Sequence, residues 1–258
     1  MVAAAGGIPS FGRVFKTFRH EGVEFSTCEF YMALSDYQQL MKLTEDMVSG
    51  MVKQLRGGYK IKYPANESLE IDFTPPFRTI QMIAELEKQA GLKLPEDLAS
   101  EAANTYLVDA CARLGVTCPP PMTTVQLLDK LVGKYVKDQC VQPTFIVNHS
   151  AIMSPLAKEH GSNPGLAERF ELIINKHELC NGYSVLVDSL ERLQRVHDLR
   201  RSGQPGPRET SVAGRGYSQA LLYGMPPACA WGFEIERFSL LIAGRQGQSL
   251  TLRFIVIG

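Results

Sequence analysis

The sequence predicts an α+β fold built on an antiparallel sheet flanked by helices, with a helical insertion. Apolar–polar alternation of hairpin type occurs near both ends of the chain, and a long stretch of helical periodicity separates the two regions. There is also no GxGxxG and no GxxxxGKS/T, so neither a dinucleotide fold nor a P-loop has support.

The first long element is a helix. Ser35-Asp36-Tyr37-Gln38 has capping-box spacing, with a Ser hydroxyl and a Gln amide available to the first N–H groups. Leu40, Leu43, Met47, Met51 and Leu55 recur at helical intervals, and Gly57-Gly58 stops the run. The methionines follow the same face and read as core filling. Tyr59 to Tyr63 and Leu69 to Phe73 alternate as a hairpin. Thr74-Pro75-Pro76-Phe77 then ends the sheet pattern, because neither proline can donate to a ladder.

From Thr79 to about Asp138 the period is helical, with segments at Ile80–Glu87, Pro95–Arg113 and Thr123–Val136. Gly91 and Cys118-Pro119-Pro120-Pro121 separate them, so residues 79–140 read as a helical insertion. Strand signals return at Thr144–Asn148 and Phe170–Leu186, followed by a helix near Leu190–Leu199. Ser202-Gly203-Gln204-Pro205-Gly206-Pro207 begins a linker over residues 202–217. A short helix near Gln219–Tyr223, a strand at Trp231–Ile235 and a helix from Glu236 complete the order.

An apolar fraction of 45% over 258 residues supports a substantial core. Lys+Arg and Asp+Glu both total 27, which argues against a free-standing nucleic-acid binder and against DNA as a partner. A local basic patch remains, with Arg200, Arg201, Arg208 and Arg215 among glycines and prolines. Six cysteines show no CxxC pairing and no zinc-like spacing, and read as reduced core thiols. The first residues lack a signal-peptide pattern, and no apolar run approaches the ~20 residues of a membrane span. The expected location is the cytoplasm, with no membrane partner.

Several residue groups carry chemistry. Arg19 and Glu21 flank His20 and would share a strand face; an arginine there can grip a phosphate bidentately, and the carboxylate can orient a second group. Alone, such a triplet is an exposed ion pair. Glu29 and Tyr31 also share a strand face, where a carboxylate and a phenol suit an ammonium group. Glu171 and Glu178 lie seven apart with Asn175-Lys176-His177 between them. If that segment turns, the carboxylates meet across a hairpin and repel unless a cation sits between them, which suits Mg²⁺. Arg237 stands at a strand-to-helix junction, where a guanidinium can meet an adenine ring or a phosphate.

These segments, read with Thr74–Phe77 and Ser154-Pro155-Leu156-Ala157-Lys158, resemble the class II lysyl-tRNA synthetases. The resemblance runs from about Gly6 to Arg237, and Cys28–Ala33, Ile71–Phe77, Leu127–Gly133 and Phe170–Asn181 fit it in detail. It implies a partial class II catalytic domain over residues 1–258 that uses ATP, lysine, tRNA and Mg²⁺. By that resemblance Arg19 and Arg237 are catalytic contacts to ATP and Glu21 assists ATP binding. Glu29, Tyr31, Asn181 and Tyr183 bind lysine, and Glu171 and Glu178 hold the metal. It also implies a homodimer or association with a synthetase subunit.

The chain departs from the family pattern at named places. By that resemblance the anticodon-binding OB domain and motif 1 are expected to be absent, and Gly22-Val23-Glu24-Phe25 closes the motif 2 loop early. Val185 replaces the glutamate that pairs with the substrate's ε-ammonium group. Leu222 replaces a second pocket-region glutamate, Glu234 replaces a motif 3 glycine, and Ala243–Gly258 does not resemble the usual ending. The expectation is a lysine-activating protein with strongly impaired turnover, or a non-catalytic paralogue or fragment that acts by binding.

Overall fold

The computed structural model describes residues 10–18, 23–63, 66–201 and 223–243. Strands β1 (Ser10–Phe18) and β2 (Val23–Ala33) pair antiparallel, and helix α1 (Tyr37–Arg56) follows. Strands β3 (Lys60–Tyr63) and β4 (Asn66–Asp72) form a separate hairpin. Strand β5 (Arg78–Gln81) leads into helices α2 (Met82–Ala90), α3 (Glu101–Arg113) and α4 (Thr124–Tyr135). Strands β6 (Thr144–Ser150), β7 (Leu166–Ile174) and β8 (His177–Ser184) come next, then α5 (Ser189–Arg201), β9 (Ala228–Glu234) and α6 (Ile235–Ala243).

The main sheet has the order β1-β2-β9-β8-β7-β6-β5. It is antiparallel except at one edge, where β5 pairs parallel with β6, Arg78 opposite Thr144. The helical insertion is therefore a crossover between parallel strands. The expected insertion is present, but its first residues are strand rather than helix: Ile80 belongs to β5, and helix begins only at Met82. The second segment likewise starts late, at Glu101, capped by Ser100 whose hydroxyl accepts from Ala103 N. Helix α4 carries a full capping box between Thr123 and Gln126.

Helix α1 shows two departures from the periodic reading. Its N-cap is Asp36, whose carboxylate accepts from Gln38 N and Gln39 N, and Ser35 donates to the Gln39 side chain instead. The buried stripe is Leu40, Thr44, Val48 and Val52, whereas Leu43 and Leu55 are 42% and 64% exposed. Thr44 turns inward because its hydroxyl is satisfied there. It donates to Leu40 O at 2.7 Å and accepts from Trp231 Nε1 at 2.8 Å. A small polar residue with both hydrogen-bonding roles filled packs closer than leucine would. The helix ends at Gly57, whose φ of 77° is the left-handed cap position that glycine tolerates best.

Each sheet face has its own partner. Phe30, Phe145, Phe170, Leu172, Cys180, Trp231 and Phe233 pack against α1, the β3–β4 hairpin and α6. Ile146 and Ile173 point the other way, into a second core with Met82, Leu86, Leu107, Leu127 and Leu131 of the insertion. Gly182 lies in the first layer, where a Cβ would stand 2.7 Å from the Phe170 ring and 3.0 Å from Leu40. The absence of a side chain there lets α1 and Phe170 close on β8. All six cysteines are free thiols; Cys111, Cys140, Cys180 and Cys229 are buried. No helix among the described residues is long and apolar enough to cross a membrane.

Candidate active site

Cross-strand register aligns the expected residues on one sheet face. Glu29 opposes Gly232, Gly232 opposes Asn181, and Asn181 opposes Glu171, so three side chains share a row across β2, β9, β8 and β7. The next row holds Tyr31, Ala230, Tyr183 and Arg169. Glycine and alanine on the intervening strand β9 put no long side chain between these groups, and a Cβ at Gly232 would meet Glu29 Cγ at 3.8 Å, an ordinary contact. Thr27 donates to Glu29 Oε1 at 3.1 Å and fixes the carboxylate along its strand.

Glu178 reaches this face only because the ladder is irregular. Glu178 and Asn181 are three apart, which in a regular strand puts them on opposite faces. The register shifts between Leu172 and Ile173: Leu172 pairs with Cys180, but Ile173 pairs with Glu178. Leu179 is the extra residue of a β-bulge and goes to the core, and Glu178 is turned to the side of Glu171. The hairpin turn at Asn175-Lys176 takes φ of 49° and 69° at consecutive residues, which matches the twist of a tight two-residue connection. The expected hairpin is present.

Three residues that the sequence reading left unassigned organise the centre. Arg169 donates from Nε to Asn181 Oδ1 at 3.0 Å and from Nη2 to Glu171 Oε1 at 2.7 Å. Its Nη1 donates to Met153 O at 3.0 Å and Ser154 Oγ at 3.2 Å, tying the Ser154–Lys158 loop to the sheet. His149 is buried, with Nε2 3.5 Å from Glu171 Oε1 and Nδ1 3.4 Å from Arg169 O. It follows Asn148, which holds a left-handed φ of 57° at the irregularity in β6. Lys137 begins the single 3-10 turn after α4, and its Nζ stands 2.7 Å from Glu171 Oε2 and 3.6 Å from Glu178 Oε2.

The electrostatics follow from this packing. Burial favours the neutral acid at Glu171, but facing His149, Arg169 and Lys137 outweigh it and hold the carboxyl well below its usual range. Glu178 moves the other way, raised by burial and then by the Glu171 charge. A proton reaching the pair therefore goes to Glu178. Burial keeps His149 below its ordinary value despite the neighbouring carboxylate. Lys137 is raised: burial works against its charge, and Glu171 and Glu178 more than offset that.

The remaining expected residues are distributed as follows. Arg237 is in the first turn of α6, exposed, and donates to Glu178 O at 2.7 Å, which places it at the hairpin end of the row. Val185 lies one residue beyond β8 and is buried, its N–H donating to Ala228 O at 2.8 Å and its backbone bridged to Ala157. Glu234 opposes Thr27 at the end of β9. Arg19, Glu21 and Leu222 lie outside the described residues, as do the 202–217 linker and the helix expected near Gln219.

The family model for class II tRNA synthetases (D, K and N) matches residues 1–249. The chain belongs to that family. Within it the chain is similar to a lysine--tRNA ligase named cla4 from Cladosporium cladosporioides, 37% identical over 96% of this chain and 44% of the relative. A probable cytoplasmic lysine--tRNA ligase from Encephalitozoon cuniculi is 39% identical over 92% of this chain and 49% of its own length. The lysine--tRNA ligase of Aquifex aeolicus is 35% identical over 92% of this chain and 40% of its own. The chain spans under half the length of these curated relatives.

Class II synthetases typically use Mg²⁺, which the sequence resemblance assigns to Glu171 and Glu178. The residues as arranged do not fit a resident divalent ion. Among the described residues no group of three or more His, Cys, Asp or Glu could hold a metal. The approach between Glu171 and Glu178 is taken by the Lys137 ammonium group.

Proposed function

We propose that this chain carries a lysine-activating site of the lysyl-tRNA synthetase type, with ATP, lysine and tRNA as substrates and with turnover far below that of a full-length enzyme. The observation that supports this most is the shared face: Glu29, Asn181 and Glu171 in one row, Tyr31 and Tyr183 in the next. Its relatives are named lysine--tRNA ligases.

In this reading a lysine carboxylate oxygen attacks the α-phosphorus of ATP. An oxygen–phosphorus bond forms, the bond to pyrophosphate breaks, and lysyl-adenylate results. A ribose hydroxyl of tRNA then takes the acyl carbon and AMP leaves. Glu29 and Tyr31 receive the ammonium of lysine, Asn181 and Tyr183 line its pocket, and Arg19, Glu21 and Arg237 contact ATP, where guanidinium groups offset developing phosphate charge. The cytoplasm is the proposed location, with a second copy or a synthetase subunit as partner.

Two residues work against turnover. Val185 is a buried apolar side chain just past the end of β8, two residues after Tyr183. An ε-ammonium group set against it has no counter-charge there, and losing one partner of a buried pair costs about 3–5 kcal/mol. Glu234 adds negative charge at the β9 end of the shared face, where nucleotide phosphates are expected. The same two residues favour the second reading, a paralogue that binds without aminoacylating. ATP–pyrophosphate exchange with and without lysine separates them. Lysine-dependent exchange supports the first reading, and its absence with retained ATP binding supports the second.

A further inference from the structure

The position between the two site carboxylates is occupied by a side chain of the protein itself. Lys137 Nζ is 2.7 Å from Glu171 Oε2 and 3.6 Å from Glu178 Oε2, and its side chain is only 20% exposed. Lys137 comes from outside the sheet, in the 3-10 turn between the insertion and β6. The Cys140 carbonyl accepts from Lys176 N at 2.8 Å, and the Val141 carbonyl accepts from Asn175 N at 2.9 Å. The segment that follows Lys137 is thus fastened to the hairpin turn that precedes Glu178.

Charge counting gives the consequence. Glu171 and Glu178 bring two negative charges, and Lys137 and Arg169 bring two positive ones, so the centre is already balanced. A divalent ion added to this arrangement would put two uncompensated positive charges into a largely buried space. It would also have to displace the ammonium group from its shortest contact. Mg²⁺ in particular gives up its water reluctantly and needs near-octahedral oxygen ligands. Here Glu171 Oε1 is already engaged by Arg169. His149 faces the same oxygen from the buried side, and Arg237 touches the Glu178 carbonyl rather than its carboxylate.

We propose that the Lys137 ammonium group is a resident cation of this site, standing in the place of a divalent ion and excluding Mg²⁺ and Mn²⁺ from Glu171 and Glu178. Removing that charge converts the pair into a divalent site. The inference concerns the carboxylate pair alone, and its test contains no lysine, ATP or tRNA, so it stands or falls separately from aminoacylation.

The test is Mn²⁺ titration of the full chain, read by loss of the free-ion electron paramagnetic resonance signal. The unmodified protein is expected to bind no stoichiometric Mn²⁺ below millimolar concentration. Lys137→Met is expected to bind one Mn²⁺ per chain at least about tenfold more tightly, a gain that Glu178→Gln added to it removes. Circular dichroism checks that the variants fold. Tight stoichiometric binding by the unmodified chain overturns the proposal without any variant. A folded Lys137→Met protein with unchanged Mn²⁺ affinity overturns it equally. Should Lys137→Met fail to fold, the titration of the unmodified chain decides: weak binding supports the resident cation and tight binding ends it.

Discussion

Arg169 lies two residues before Glu171 on β7 and donates to its carboxylate at 2.7 Å, although neighbours of this kind need not touch. Both side chains leave the sheet on the same face, and the guanidinium lies back along the strand so that its fork spans Glu171, Asn181 and the Ser154 loop. A single planar cation thus fixes the direction of the Glu171 and Asn181 side chains. Arg169→Met removes one of the two cations that stand 2.7 Å from the buried Glu171 carboxylate, and is expected to destabilise the chain by about 1–3 kcal/mol in urea unfolding. Arg169→Lys recovers only part of this, because an ammonium group cannot serve the fork.

The packing of α1 on β8 depends on Gly182. A methyl group there meets the fully buried Phe170 ring at 2.7 Å, and the ring has no free side to move toward. Gly182→Ala is expected to cost about 1–3 kcal/mol by chemical denaturation. Combining it with Phe170→Leu should restore part of the loss; simple additivity of the two changes would show that the contact is not the cause.

Stability should fall on mild acidification through His149. Its folded pKa lies below the ordinary 6.5, so as pH falls through that value the unfolded chain takes up a proton before the folded one does. The contribution is complete above about pH 6.5 and declines below it, by at most about 1.4 kcal/mol per pH unit. His177, held down by burial and Arg237, acts in the same direction. Glu178 acts in the opposite one, since its raised pKa favours the folded state as pH falls through it. Unfolding free energies at neutral and mildly acidic pH should show a shallower decline for His149→Gln than for the unmodified chain. Equal slopes would remove His149 from the account.

Much of this site is legible in the sequence, for physical reasons that differ by residue. Glu29 with Tyr31, and Asn181 with Tyr183, follow from strand alternation, which fixes side-chain direction wherever the ladder is regular. The same rule places Arg169 with Glu171, so the signal for the central arginine was present in the strand. Glu178 reaches the site through a bulge, and alternation alone would send it to the core. Lys137 has no periodic signal, because it is delivered by a turn whose position depends on how the insertion packs. On α1, hydrophobicity favoured Leu43 and Leu55, whereas the sheet selected Thr44 through a hydrogen bond to Trp231 that no periodicity encodes. The β5 strand was hidden in a helical reading because four residues are too few to establish a period.

Val185→Glu tests the apolar wall of the proposed lysine pocket. Placed two residues after Tyr183, a carboxylate should tighten lysine binding by about a hundredfold or more in calorimetry, with a loss of stability when lysine is absent. Combined with Glu234→Gly it should bind lysine and ATP better while activation stays slow. Unchanged lysine affinity in a folded Val185→Glu protein would place the ammonium group elsewhere.

The most direct test of the proposed function is lysine-dependent ATP–pyrophosphate exchange by the purified, unmodified chain, run beside a full-length lysine--tRNA ligase. The expected result is exchange above the no-amino-acid background with L-lysine alone, at least about a hundredfold slower than the full-length enzyme. Exchange no greater with saturating lysine than without it would contradict a lysine-activating site on this face.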